Sequence, residues 1–306
     1  MGNTARWIAA ALESRLAPAG AAFLASARDE IRAGCETSRF CGLLSLASRH
    51  VPASLLAPTR EELSEAGAAL EGWNPERWTL RETARVALVL ARTDLQVASG
   101  VAAIEAAFAY ADMGEACALY KSLALLPEPR RFAARAAEGA RTNIRAIFES
   151  AVCDTPFPVR WFDDVAWRQC VMKALFVEAP LWRVHGLDGR LDAELARMAL
   201  DLAEERRSAG RHVNPLLWMC LGTHGGERGL RALLAELEGG AQAGGRAAAA
   251  LALGRLDAAD RARANLDALL ARETDSTVQQ SLRLARAGNV RQTAFQPFDG
   301  PVPKVV

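Results

Sequence analysis

The residue types best suited to chemistry cluster between positions 181 and 206. The stretch Leu181-Trp182-Arg183-Val184-His185-Gly186-Leu187-Asp188-Gly189-Arg190 reads as a loop carrying Arg183, His185, Asp188 and Arg190 together. Guanidinium groups offer planar, bidentate donors to carboxylate or phosphate, and an imidazole changes charge near neutral pH. A helical stretch follows, with Glu194, Arg197, Asp201 and Glu204 at spacings of three and four. They form a polar stripe opposite Leu191, Leu195, Met198 and Leu202. Such a stripe is either a solvated row of intrahelical ion pairs or, beside this loop, a wall of an anion site. A second stripe, Glu138, Arg141 and Arg145, precedes the turn at Pro156. Lys173 lies in the otherwise apolar run Val171-Met172-Lys173-Ala174-Leu175-Phe176-Val177. Its ammonium must snorkel, meet a carboxylate or lower its pKa. It is expected to be mostly buried, with Glu138, Asp188 and Glu194 as candidate partners.

Sequence signatures of several reaction classes are missing. There is no G-x-x-x-x-G-K-[ST] or G-x-G-x-x-G phosphate loop, no H-E-x-x-H and no G-x-S-x-G elbow. His224-Gly225-Gly226 resembles an esterase oxyanion loop, but without an elbow serine a glycine turn between helices is the better reading. The four histidines are far apart in sequence, so no metal site is expected. The six cysteines form no C-x-x-C pair and suit small thiols in a reducing compartment, which points to the cytoplasm.

The elements that must position these groups are helices. Ala, Leu, Arg and Glu dominate, and apolar residues recur at helical spacing: Ile8, Leu12 and Leu16; Val97, Val101, Ile104 and Phe108. Thr59 with Glu62, Thr79 with Glu82 and Asp112 with Glu115 have capping-box spacing, and Asn214-Pro215 suits a helix start. Pro52, Gly72 to Pro75, Pro127 to Pro129 and Pro156 to Pro158 mark stops. No alternating strand pattern occurs. From 226 to 290 the chain turns alanine-rich, with Arg246 to Leu256 resembling one helix of a HEAT-like repeat and further helices near 258–271 and 276–287. Gly239-Gly240 to Gly244-Gly245 reads as a flexible joint, and residues 291–306 as an irregular tail. The expected fold is all-α: a right-handed α-α superhelix or solenoid-like domain ending in HEAT-like helices.

The 306 residues are 51% hydrophobic and carry 37 Lys plus Arg against 36 Asp plus Glu. A balance this close supplies no field to draw in nucleic acid. No apolar run reaches the roughly 18 residues of a membrane span, and the apolar N-terminal stretch is too short for a secretory signal.

Residues from Arg81 to Trp218 resemble the EboA-domain family. The resemblance rests on Ala111-Asp112-Met113-Gly114-Glu115, Ala118 to Lys121, and Arg135 to Asn143. It continues through Pro156-Phe157-Pro158, Phe162 to Trp167, Lys173 to Val177, Gly186 to Arg190, Glu194 to Met198 and Glu205-Arg206. The resemblance implies an EboA-like helical domain, expected over 1–225; the HEAT-like segment 226–290 read from the alanine-rich helices follows it. It also implies a role beside a prenyltransferase and other enzymes in a pathway that makes or exports a small, prenylated metabolite. In cyanobacteria such a set is tied to moving a sunscreen-pigment precursor out of the cytoplasm. The sequence departs from the family where a His-Glu-Arg-Trp run is expected, reading Glu204-Glu205-Arg206-Arg207 instead, and has Asp192-Ala193 in place of an Asn-Pro.

Two functions follow as expectations. One is a non-catalytic binding or adaptor component whose partners are a small anionic metabolite or other proteins of the pathway. The other is an enzyme acting on a phosphorylated or prenylated metabolite. The candidate ligand-binding residues are Arg141, Asn143, Lys173, Arg183, His185, Asp188, Arg190, Glu194, Arg197, Glu205 and Arg206. No catalytic residue and no cofactor is assigned.

Overall fold

The structure is a computed structural model that describes residues 2–288 and 290–298. It is all-α: among the described residues there is no strand, only an isolated antiparallel bridge between Leu55 and Thr79. No helix among them is long and apolar enough to cross a membrane. The chain divides by packing into two compact units, Met1–Ala166 and Trp167–Val306.

The first unit contains α1 (Asn3–Glu13), α2 (Pro18–Arg32), α3 (Thr37–His50), α4 (Arg60–Ala69), α5 (Leu80–Val89), α6 (Ala98–Tyr110), α7 (Met113–Ser122), α8 (Ala133–Gly139), α9 (Arg145–Val152) and α10 (Phe157–Trp161). Helix α5 is its centre. Residues Thr83 to Val89 are all buried, against α1, α2, α3 and α7. All three expected capping boxes form, at Thr59, Thr79 and Asp112, each with both reciprocal bonds. They satisfy orphan N–H groups that would otherwise need water. Arg85 is 3% exposed inside this core. Its Nε donates to the Leu44 carbonyl at 3.0 Å, and its Nη2 lies 3.5 Å from Glu115.

The boundary between the units falls within α11 (Asp164–Phe176). The second unit continues with α12 (Ala193–Ser208), α13 (Gly226–Gly239), α14 (Ala243–Leu253), α15 (Ala258–Ala264), α16 (Leu266–Arg272) and α17 (Ser276–Ala287). Its centre is α14, in which Ala247 to Leu253 are all buried. Neighbours cover it on several sides: α13, α17 and the 3-10 segments Pro215–Cys220 and Gln292–Phe298. Alanine permits this because its methyl leaves room for backbones to approach. At Gly254 the approach is closest, since an added Cβ would lie 2.5 Å from Ala285 Cα.

Several sequence expectations need correction. Asn214 caps as expected, accepting from Leu216 N at 3.0 Å, but the segment it starts is a 3-10 helix. The helix expected over 258–271 is broken at Asn265, which adopts φ +48 and caps α16 through its side chain. Asparagine tolerates that left-handed conformation. The tail expected to be irregular contains the 3-10 helix Gln292–Phe298, anchored by the fully buried Phe295. Residues 299–306 of that tail lie outside the described residues. Of the glycines at 239–245, Gly239 and Gly244 have open space around them, whereas a Cβ on Gly240 or Gly245 would collide with Glu236, which is itself paired with Arg207 at 2.7 Å.

Candidate functional site

The loop 181–192 is held from both ends within the second unit. Trp167 Nε1 donates to the Arg190 carbonyl at 3.1 Å, and the Arg190 guanidinium lies 4.8 Å from the Trp167 ring centroid. Arg168 Nε donates to Asp192 at 2.9 Å, while Asp192 caps α12 by accepting from Leu195 N at 2.7 Å. The Arg168 hydrogen bonds hold the Asp192 carboxyl below its ordinary value. Two 3-10 turns, Leu181–Arg183 and Leu187–Gly189, shape the rest, and Gly186 bends between them at φ +75.

Asp188 is the residue this loop delivers to a site. One carboxylate oxygen accepts from Arg255 Nη2, and the other accepts from the Gln292 backbone N–H at 3.0 Å. Gln292 then ties the loop down through its side chain. Its Nε2 donates to the Trp182 and Val184 carbonyls at 2.7 and 3.0 Å, and its Oε1 accepts from Asp188 N at 3.3 Å. Arg255 has only 6% of its side chain exposed and lies 5.6 Å from the Phe295 ring centroid. Its Nη1 is buried with no hydrogen-bond partner.

Arg255 and Asp188 line a cleft of about 380 Å³ together with Thr223, His224, Arg261 and Arg291. Its lining carries three arginines against one carboxylate. Arg261 spends one donor on the Gly254 carbonyl at 3.4 Å, and Arg291 is exposed. The excess positive charge and the unmet donor on a desolvated guanidinium suit a carboxylate or phosphate. His224 ends the 3-10 turn Gly222–His224, Gly225 and Gly226 start α13, as the glycine-turn reading expects, and His224 lines the cleft. No three His, Cys, Asp or Glu side chains among the described residues gather as metal ligands would.

The other sequence candidates go elsewhere. Glu194, Arg197 and Asp201 form an exposed ladder, with Arg197 bonding Glu194 at 2.6 Å and Asp201 at 2.5 Å. Arg228 of α13 joins it, reaching Asp201 at 2.7 Å and Glu204 at 2.8 Å. Glu205 lies 3.6 Å from Arg211. Arg206 sits 5.9 Å from the Phe176 ring centroid and lines a different cleft of about 480 Å³, with His212, Asn214 and Phe298. Arg183, His185 and Lys173 are half-buried. The helix around Lys173 is not core on every side, because Phe176 is 54% exposed. The carboxylates expected beside Lys173 each have an arginine: Glu138 with Arg135, Glu194 with Arg197 and Asp188 with Arg255. Arg141 and Asn143 are exposed and belong to the first unit.

Arg255, Gln292 and Phe295 escaped the sequence reading. Arg255 had left a signal, as the charged residue ending an alanine-leucine helix. Gln292 left none, because nothing local marks a side chain whose partners lie over a hundred residues earlier.

An all-α protein with an arginine-lined cleft is the class that fold and site define. The family model described as "Metabolite traffic protein EboA" matches residues 4–222, and the chain belongs to that family. The match reaches well ahead of Arg81, into the N-terminal helices. No curated protein and no solved structure matches the chain.

Proposed function

We propose that the protein is a non-catalytic binding component of metabolite traffic, acting in the cytoplasm and holding a small anionic metabolite in the Arg255 cleft. The observation that carries this is Arg255 itself, whose Nη1 is buried without an acceptor and which lines a cleft of net positive charge. A buried polar donor left unpaired costs about 1–3 kcal/mol, so an arriving carboxylate or phosphate oxygen recovers energy the empty protein forgoes. In this reading Asp188 and Gln292 preorganise Arg255, and Arg183, His185, Arg190 and Lys173 support the surrounding loop and helix. Arg141 and Asn143 do not enter it. Helices of 226–290 act as a HEAT-like end to the 1–225 domain, presenting the cleft to other proteins of the pathway.

The test is calorimetric titration of the full chain with inorganic phosphate and with citrate at low salt. Saturable binding that weakens at least tenfold in Arg255→Gln is expected. Absence of saturable binding, or equal binding by Arg255→Gln, overturns the proposal. The enzyme reading draws on one observation, the position of His224 on the same cleft. It prevails if a bound phosphate monoester is cleaved and His224→Ala stops cleavage while binding persists.

A further inference from the structure

The first unit has a cleft of different chemistry. About 300 Å³ in volume, it has walls of Ile8, Ala9, Ala87 and Leu90 and a basic edge of Arg28, Arg32 and Arg92. That volume is at the lower end of small-molecule pockets, which run from about 300 to 1,000 Å³. The three arginines are not equivalent. Arg92 is committed to Asp94, through Nε at 3.0 Å and Nη2 at 2.7 Å. Arg32 bonds Asp29 at 3.1 Å. The Arg28 side chain makes no hydrogen bond and no ion pair among the described residues, and its Nε is buried with no acceptor. It is also one helical turn from Arg32, a like-charge spacing that destabilises a helix. Burial first, and Arg32 second, push the Arg28 pKa down, with only Asp29 opposing. The guanidinium is therefore short of negative charge beside an apolar wall.

We infer that this cleft is a binding site for a short amphiphilic anion, its carboxylate or monophosphate head on Arg28 and its hydrocarbon chain along Ile8, Ala9 and Leu90. An unpaired buried donor and a neighbouring apolar surface reward different halves of one molecule, and neither rewards a compact hydrophilic anion as well. The site shares no residue with the Arg255 cleft and takes a different class of ligand.

Octanoate, kept below its micelle concentration, is the probe, and acetate is its control. Calorimetry on the full chain is expected to give saturable octanoate binding and none for acetate at the same concentration. Arg28→Gln and the cleft-filling Ala9→Leu are each expected to weaken octanoate at least tenfold, while Arg255→Gln leaves it unchanged. Circular dichroism checks that each variant is folded. Arg28→Gln alters a half-buried surface position and serves alone if Ala9→Leu does not fold. Equal binding of acetate and octanoate, no binding of octanoate, or no effect of Arg28→Gln overturns the inference. Loss of octanoate binding in Arg255→Gln also overturns it, by assigning the ligand to the other cleft.

Discussion

Each unit buries an arginine, and the two arginines are used differently. Arg85 sits on the central helix of the first unit, with Nε on the Leu44 carbonyl and Nη2 toward Glu115. Glu115 is itself fixed, accepting from Asp112 N at 3.1 Å as part of a capping box. Arg255 sits just past the end of the central helix of the second unit, with Nη2 on Asp188 and Nη1 buried without a partner, and the residue lines a cleft. Burial alone therefore does not distinguish a structural cation from a receptive one. What distinguishes them is the setting: Arg85 is held inside the core beside Glu115, whereas Arg255 keeps a buried Nη1 without an acceptor and lines a cleft.

The largest expected effect comes from the arginine paired inside the core. Arg85→Met removes the cation beside Glu115 and leaves that carboxylate buried, a loss of about 3 kcal/mol by the usual penalty for breaking a buried pair. Denaturant unfolding should show it, and phosphate binding should not change. If Arg85→Met unfolds at the wild-type midpoint, the first half of the comparison fails.

A smaller loss is expected at the residue that sets Arg255 in place. Gly254→Val would put its Cβ 2.5 Å from Ala285 Cα, so α14 and α17 must separate. Overpacking of this kind costs roughly 1–3 kcal/mol. Because Gly254 also lines the Arg255 cleft, phosphate affinity should fall with stability. Arg255→Gln should behave differently. Asp188 is partly open to water and keeps its bond from Gln292 N, so the stability loss should be about 1 kcal/mol while binding is lost. A stability loss in Arg255→Gln as large as that of Arg85→Met would make Arg255 a structural residue and erase the contrast.

The same contrast explains what was legible in the sequence. Helix type, the capping boxes at Thr59, Thr79 and Asp112, and the close-packing role of the alanine run follow from local chemistry and spacing. The polar stripe of α12 was equally visible, but its arginine is satisfied within one helical turn by Glu194 and Asp201. Density of charge marked a solvated ladder there. Asp188 was visible because its loop concentrated functional groups, whereas Arg255 and Gln292 depend on contacts that only the folded chain makes. Asn265 broke an expected helix because a single left-handed residue can end one helix and cap the next, without any change in apolar spacing.

The smallest effect is expected at the exposed ladder, where salt and pH should identify it. Hydrogen bonds from Arg197 and Arg228 hold Glu194 and Glu204 below the ordinary value of 4.5. A folded pKa below the unfolded one means each contribution is present above that value and lost as pH falls through the lowered folded value. Both carboxylates are open to solvent, so ions and water screen most of the attraction. Glu204→Gln should therefore melt slightly below wild type at pH 7 in low salt and together with it in 1 M salt. At a pH below the lowered value the two should also coincide, since the wild-type Glu204 is then protonated. Arg85→Met supplies the opposing case: its partner is buried beyond the reach of salt, so its deficit should persist in 1 M salt. A deficit in Glu204→Gln that survives high salt would place real coupling between α12 and α13 in the Arg228 bridge, and the ladder would then have to be counted with the structural pairs.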